Sequence, residues 1–139
     1  MSGAPSPVSV REAEPREYAE AGSVTAEAYR QYATDDSSGW HEYLREIADV
    51  EGRADRTTVF VALEGPKIVG SATLELFDRV EREDDPTLHP AESHIRMLGV
   101  HPDARRRGVA RALMDACFER ARAEGKTFMT LHTTERMRD

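Results

Sequence analysis

The sequence has a single cysteine, Cys117, so no disulfide within the chain can staple the fold. Nothing in it points to an oxidising compartment. No apolar run approaches the length of a membrane span. The opening residues, MSGAPSPVSV, lack the charged start and apolar stretch of a secretory leader, and their glycine, proline and serine read as a frayed lead-in over 1–7. A cytoplasmic protein without a membrane partner is the expectation. No Cys/His cluster has ligand spacing, so no metal is expected. Neither glycine-rich phosphate motif, G-x-G-x-x-G after a strand or G-x-x-x-x-G-K-[ST], occurs. Positive charge is short overall, with 19 Lys and Arg against 26 Asp and Glu and a net charge of −7. Nucleic acid, which is bound largely by neutralising its phosphates, is therefore not an expected partner.

What is present suits one globular domain over 8–139, long enough to bury a core without disulfides. Residues 8–12, VSVRE, alternate like a strand. Glu14 and Pro15 open a helix from Arg16 to Tyr29, with Tyr18, Ala21, Val24 and Ala28 on one face. The segment 34–39, TDDSSG, is a turn in which Ser37 or Ser38 can cap a second helix. That helix places Trp40, Tyr43, Leu44, Ile47 and Ala48 at helical spacing. The period then changes: 57–63 and 67–77 are β-branched and apolar, and Glu64-Gly65-Pro66 joins them as a hairpin. Residues 78–91 are acidic, carry two prolines and read as a surface loop. A strand at 93–100 follows, then a helix at 109–124 with Val109, Leu113, Ala116, Cys117 and Ala121 inward and Met114 and Phe118 widening the face. A last strand covers 127–133. The order β-α-α-β-β-β-α-β predicts an α/β fold of mixed α+β character. Its sheet is mostly antiparallel, with one parallel, right-handed strand–helix–strand crossover at the end.

The junction between strand 93–100 and helix 109–124 concentrates the chemistry. A helix start leaves backbone N–H groups unpaired and carries partial positive charge. Gly108 permits a sharp turn and close approach of a ligand to the backbone. Ala110 is small, and Arg105, Arg106, Arg107 and Arg111 crowd the turn. Two readings fit these residues: a cradle for a small phosphorylated anion, or a surface arginine run beside an ordinary helix start.

The longer string Leu98-Gly99-Val100-His101-Pro102-Asp103-Ala104-Arg105-Arg106-Arg107-Gly108-Val109-Ala110-Arg111-Ala112-Leu113 resembles the acetyl-coenzyme A motif of the GNAT acyltransferase superfamily. That motif has Arg or Gln, two residues, Gly, one residue, then Gly or Ala, matched by Arg105 to Ala110. The apolar-x-apolar triplet before it is matched by Leu98-Gly99-Val100. The element order from about residue 8 to 139 follows the family as well. The resemblance implies a GNAT-like acyl-CoA acyltransferase fold in which the strand at 93–100 bends away from its neighbour. Acetyl-coenzyme A is the implied cosubstrate. Its pantetheine arm would pair with the backbone of Leu98, Gly99 and Val100, as an added strand would. Its pyrophosphate would lie on the backbone of 106–111, at Arg106, Arg107, Gly108, Val109, Ala110 and Arg111, with Arg105 alongside. The implied reaction is direct attack of a primary amine on the thioester, with the backbone N–H at Leu98 stabilising the developing oxyanion.

A base must take the amine's proton. The family often has a glutamate at the start of the motif strand. Here Glu92, Ser93 and His94 stand there. His94 shares the face of Arg96 and Leu98 in a regular strand, and imidazole changes charge near neutral pH. The alternative for His94 is a surface hydrogen bond at a strand edge. Glu75 is the second candidate, with the alternative of a solvent-facing strand residue. His41 and His132 rank below both, and His89 is a loop residue. The family's acid is a tyrosine on a helix after the last strand here. The sequence ends at Asp139, within the first turn of that helix, so the domain is expected to lack the helix remainder and the family's last two strands. Tyr18, Tyr29, Tyr32 and Tyr43 read as core or acceptor-cleft residues. Asp35 and Asp36, in the turn between the first two helices, are either an attraction for a cationic amine or a capping turn. Cys117 reads as core. Besides an active enzyme acting on a small-molecule or peptide amine, the residues leave open a non-catalytic acyl-CoA-binding module. They also leave open a fragment, or a homodimer, pairing through the edge at 127–133.

Overall fold

The computed structural model describes residues 8–30, 38–76, 92–105, 108–126 and 128–131. Strand alternation decides which face of the sheet each side chain serves. In β2 (Thr58–Glu64), Phe60 and Ala62 belong to one apolar cluster, while Val59, Val61 and Leu63 belong to another. In β3 (Lys67–Leu76), Ala72, Leu74 and Leu76 continue the first cluster. A five-stranded sheet results, in the order β1-β2-β3-β4-β5, with β1 at Val8–Glu12, β4 at Glu92–Val100 and β5 at Phe128–Leu131. The first four strands pair antiparallel and β4 pairs with β5 in parallel. The mixed sheet and the parallel last crossover are as the element order predicts.

One face is covered by α3 (Val109–Ala123), whose Val109, Leu113, Cys117 and Ala121 are buried against Phe60, Leu74, Leu76 and Ile95. These four residues recur every fourth position, one helical stripe. Phe118 departs from the expectation: it is 43% exposed. It stands one residue beyond Cys117, a rotation of about 100° from the buried stripe.

The other face is covered by α1 (Tyr18–Arg30) and α2 (Ser38–Ala48). Ala21 and Val24 of α1 pack on Val59, Val61 and Ile68, and Val50 joins them from the turn after α2. Farther along, Ala28 and Tyr29 of α1 meet Ile47 of α2 and Met97 of β4. The Tyr29 and Tyr43 rings lock edge to face across the two helices, 6.0 Å between centroids. Ala48, expected on the inner face of α2, ends the helix exposed. The expected acidic loop at 78–91, the turn at 34–37 and the C-terminal residues 132–139 lie outside the described residues.

Candidate functional site

The centre of interest is a defect in β4. Opposite it, β3 pairs regularly through Ser71↔Gly99 and again from Thr73↔Arg96, so Met97 and Leu98 together face the single residue Ala72. This is a β-bulge, and Met97 adopts φ 52°, the left-handed region that a bulky side chain enters only when its surroundings impose it. The bulge changes which face the residues serve. Arg96 and Met97 both turn to the α1/α2 face, while Leu98 packs with the α3 cluster. The regular-strand expectation that His94, Arg96 and Leu98 share one face is therefore corrected: the extra residue reverses the alternation after Arg96.

The described β4–β5 ladder lies on the N-terminal side of the bulge in β4. That ladder runs from Glu92↔Phe128 to Ile95↔Leu131, two residues short of Met97. Gly99 lies just past the bulge. A side chain there would come within 3.1–3.2 Å of Thr25 and Ala28, so glycine lets α1 lie directly on the strand.

Beyond Val100 the chain makes a tight exit. His101 donates its N–H to Val69 O (2.8 Å), and its Nδ1 accepts from Asp103 N (3.1 Å), shaping a 3-10 turn over Pro102–Ala104. Buried Ala104 anchors that turn. Arg105, exposed, donates to Ala28 O at the end of α1 (3.5 Å). Arg106 and Arg107 lie outside the described residues. Gly108 is the N-cap of α3 with φ 78°, and a side chain there would meet no atom within 4 Å. The space beside the Gly108 Cβ position is thus open, and the first-turn N–H groups of Val109, Ala110 and Arg111 are those a helix leaves without internal partners. Val109 is buried and fixes the helix start, Ala110 is half-buried, and Arg111 is exposed. Small size at the approach, open space and unpaired donors together fit a diphosphate.

On the opposite face, around the bulge, lies a cavity of about 300 Å³ lined by Glu46, Asp49, Arg53, Thr73, Glu75, Arg96 and Met97 among others. Its inner wall is polar and buried: Thr73 is 2%, Glu75 6% and Arg53 9% exposed. Arg53 closes the end of α2, donating to the carbonyls of Glu46 (2.8 Å), Ile47 (3.0 Å) and Asp49 (3.2 Å) and to Thr73 Oγ1 (3.1 Å). Burial lowers its pKa from the ordinary arginine value. Asp49 opposes the shift and the charge of Arg96 adds to it. Arg96 reaches Glu75 Oε2 (3.3 Å). His94 sits directly across from Glu75 in the β3–β4 register and is 4% exposed. Neither His94 nor Glu75 is the surface residue that its position on an alternating strand allowed.

The two base candidates are thus cross-strand neighbours, and the expected cofactor positions Leu98 to Val100 and Gly108 to Arg111 lie at the bulge and the α3 start. His41 is on α2, with its side chain outside the described residues; His89, His132, Asp35 and Asp36 are outside them altogether. Cys117 is buried, and burial pushes its thiol up to about 12, which suits a core position. Sequence reasoning missed Arg53 and Thr73. An arginine in the polar run after α2 carries no signal of burial, and Thr73 alternates like a solvent-facing residue. Among the described residues no group of three or more His, Cys, Asp or Glu side chains is placed to hold a metal ion, and no helix is long and apolar enough to cross a membrane.

The model of the acetyltransferase (GNAT) family matches residues 14–138. Solved structures share the fold at low identity. A GCN5-related N-acetyltransferase from Ralstonia eutropha aligns with TM-score 0.69 at 22% identity, over 93% of this chain and 85% of that one. A GNAT family acetyltransferase from Brucella melitensis, solved in complex with acetyl-CoA, aligns with TM-score 0.68 at 17% identity, over 94% and 79%. A predicted acetyltransferase with acetyl-CoA from Clostridium acetobutylicum aligns with TM-score 0.66 at 14% identity, over 95% and 84%. No curated protein matches the chain significantly.

Proposed function

Because the chain belongs to the acetyltransferase (GNAT) family, we propose that it transfers an acetyl group from acetyl-coenzyme A to a primary amine by direct attack of the amine on the thioester. The observation that carries this reading is the alignment of two features along one stretch of chain. β4 bulges at Met97, and eight residues past Val100 the chain opens α3 at a left-handed Gly108. A bulged strand and a helix start placed in series suit an extended arm that ends in a diphosphate.

In this reading the backbone of Leu98, Gly99 and Val100 pairs with the pantetheine arm. The N–H groups of 106–111 hold the pyrophosphate, and Arg105 flanks it from the loop. The N–H of Leu98 is aimed at the thioester oxygen, where a fixed donor lowers the barrier as negative charge develops. His94 takes the proton of the amine. Glu75, already accepting from Arg96, positions the imidazole from the neighbouring strand rather than acting as the base. Backbone groups do most of this work, so the side chains that matter are those that keep the approach clear.

Calorimetric titration with acetyl-coenzyme A, paired with a thiol-release assay over a panel of amines, tests the proposal. Saturable binding with thiol release supports it. Binding without release over the whole panel favours a non-catalytic acyl-CoA-binding module, and no binding at millimolar ligand overturns both. Gly108→Glu places a side chain and a negative charge in the open turn, and cofactor binding is expected to fall more than 100-fold, an amount on the scale of an unpaired charge facing a phosphate. Retained binding by Gly108→Glu would put the diphosphate elsewhere.

A further inference from the structure

The cavity beside the bulge is lined by three guanidinium groups, Arg53, Arg56 and Arg96, and three carboxylates, Glu46, Asp49 and Glu75, and the proposed reaction leaves the arginines unused. At its inner end the guanidinium groups of Arg53 and Arg96 stand beside Glu75, and Asp49 and Glu46 also act on Arg53. These two arginines lie close enough for the charge of Arg96 to act on Arg53. Their hydrogen bonding differs. Arg53 spends its donors on three carbonyls and Thr73. Arg96, among the described residues, makes a single contact, from Nη1 to Glu75 Oε2 at 3.3 Å. Arg96 lines the cavity with 27% of its side chain exposed, and a guanidinium carries five N–H donors. Thr73 lies across from Arg96 in the sheet register. Its hydroxyl accepts from Arg53, and among the described residues its own proton has no acceptor, although the residue is 2% exposed. A buried hydroxyl proton without an acceptor costs free energy that a ligand oxygen would recover.

We propose that this inner end binds a carboxylate, and that the acceptor is therefore a small amine that also carries a carboxylate, of the size of an amino acid. The carboxylate takes two donors from Arg96, the pairing geometry that a guanidinium offers best, and the hydroxyl proton of Thr73. A volume of about 300 Å³ suits a ligand of that size. Met97, the bulge residue, lines the same cavity, so an amine a few bonds from the carboxylate stays beside the bulge. The carboxylate contact stands on the cavity alone, whereas naming the ligand as acceptor rests on the acetyl-transfer reading.

The test separates the two. The arginine Nε–H resonances of the full chain are followed by NMR while amino acids of two to six carbons are added, each against its own amide. Saturable shifts are expected for at least one amino acid, at least tenfold weaker for the matching amide, and at least tenfold weaker again in Arg96→Met. Thr73→Val, of the same shape, should weaken the same ligand several-fold. Both variants are checked for folding by circular dichroism and for unchanged acetyl-coenzyme A binding. Equal affinity for acid and amide, unchanged affinity in both variants, or no saturable shift with any member overturns the proposal. Carboxylate binding by a protein that never binds acetyl-coenzyme A would overturn the acceptor assignment through the acetyl-transfer reading, leaving the cavity's preference intact.

Discussion

The two faces of the sheet solve burial differently. Under α3 the buried residues are almost wholly apolar, from Phe60 and Leu74 to Ile95, Leu113 and Cys117. Under α1 and α2 the burial begins the same way, with Val59, Val61 and Ile68, and then turns polar toward β4, where Thr73, Glu75, His94 and Arg53 are all less than 10% exposed. The first face gains stability mainly from area removed from water, and the polar side chains it buries, Thr58 and Ser93, carry only a hydroxyl each. The second keeps polar groups out of water and must satisfy each of them. A fold gains nothing in stability from the second arrangement that a well-packed apolar surface would not give. Among the described residues, buried charged groups stand on this face only, beside a strained Met97, the pairing on which the carboxylate proposal rests.

The contrast can be broken from either side. Leu113 is fully buried in the α3 cluster. Leu113→Ala removes its contacts and leaves a cavity, at an expected cost of about 2–5 kcal/mol, read from the shift of a urea unfolding midpoint. Cofactor binding should weaken only in proportion to the unfolded fraction. A cost under about 1 kcal/mol would mean the α3 face is not the close-packed one.

Arg53→Met attacks the polar face. The methionine stem keeps most of the packing volume, so the loss is of hydrogen bonds. The carbonyls of Glu46, Ile47 and Asp49 at the end of α2 lose their donor, and Thr73 loses its neighbour. An expected cost of about 2–3 kcal/mol follows from leaving buried acceptors unpaired, offset in part by removing a buried charge. Hydrogen exchange should show the loss concentrated in the last turn of α2. Uniform loss across the sheet would mean that Arg53 supports the core rather than the helix end.

The same contrast explains what the sequence discloses. The apolar face is legible because its signals repeat: Val109, Leu113, Cys117 and Ala121 mark the helix, and the β-branched, apolar runs at 57–63 and 67–77 mark the strands. Gly108 and its flanking residues are legible because a helix start with a glycine and small neighbours has few uses. The polar face is not legible. Thr73 and Glu75 alternate with Ala72 and Leu74 as solvent-facing residues do, and only the arrival of α2 and its following turn, far away in sequence, covers them. The bulge is hidden for a related reason. Met97 carries no glycine to advertise φ 52°, so regular alternation placed Leu98 on the wrong face.

A surface pair supplies the smallest effect and the sharpest control on the role of burial. Arg11 grips Glu17 with two bonds of 2.7 Å, better geometry than any contact Arg96 makes. Hydrogen bonding from Arg11 holds the Glu17 carboxyl down at about 2, against an ordinary 4.5. The folded form therefore has the lower pKa. The stabilisation is fully present above the unfolded value and is lost as pH falls from 4.5 toward 2. Yet Arg11 is 44% exposed, and water screens the pair and hydrates both groups once they separate. Glu17→Gln should therefore shift the urea midpoint only slightly at neutral pH, and the gap between wild type and variant should close across that acid window. A gap as large as that of Arg53→Met, or one that does not change with pH, would mean that geometry rather than burial sets the strength of these contacts. The reason for singling out the polar face would then be gone.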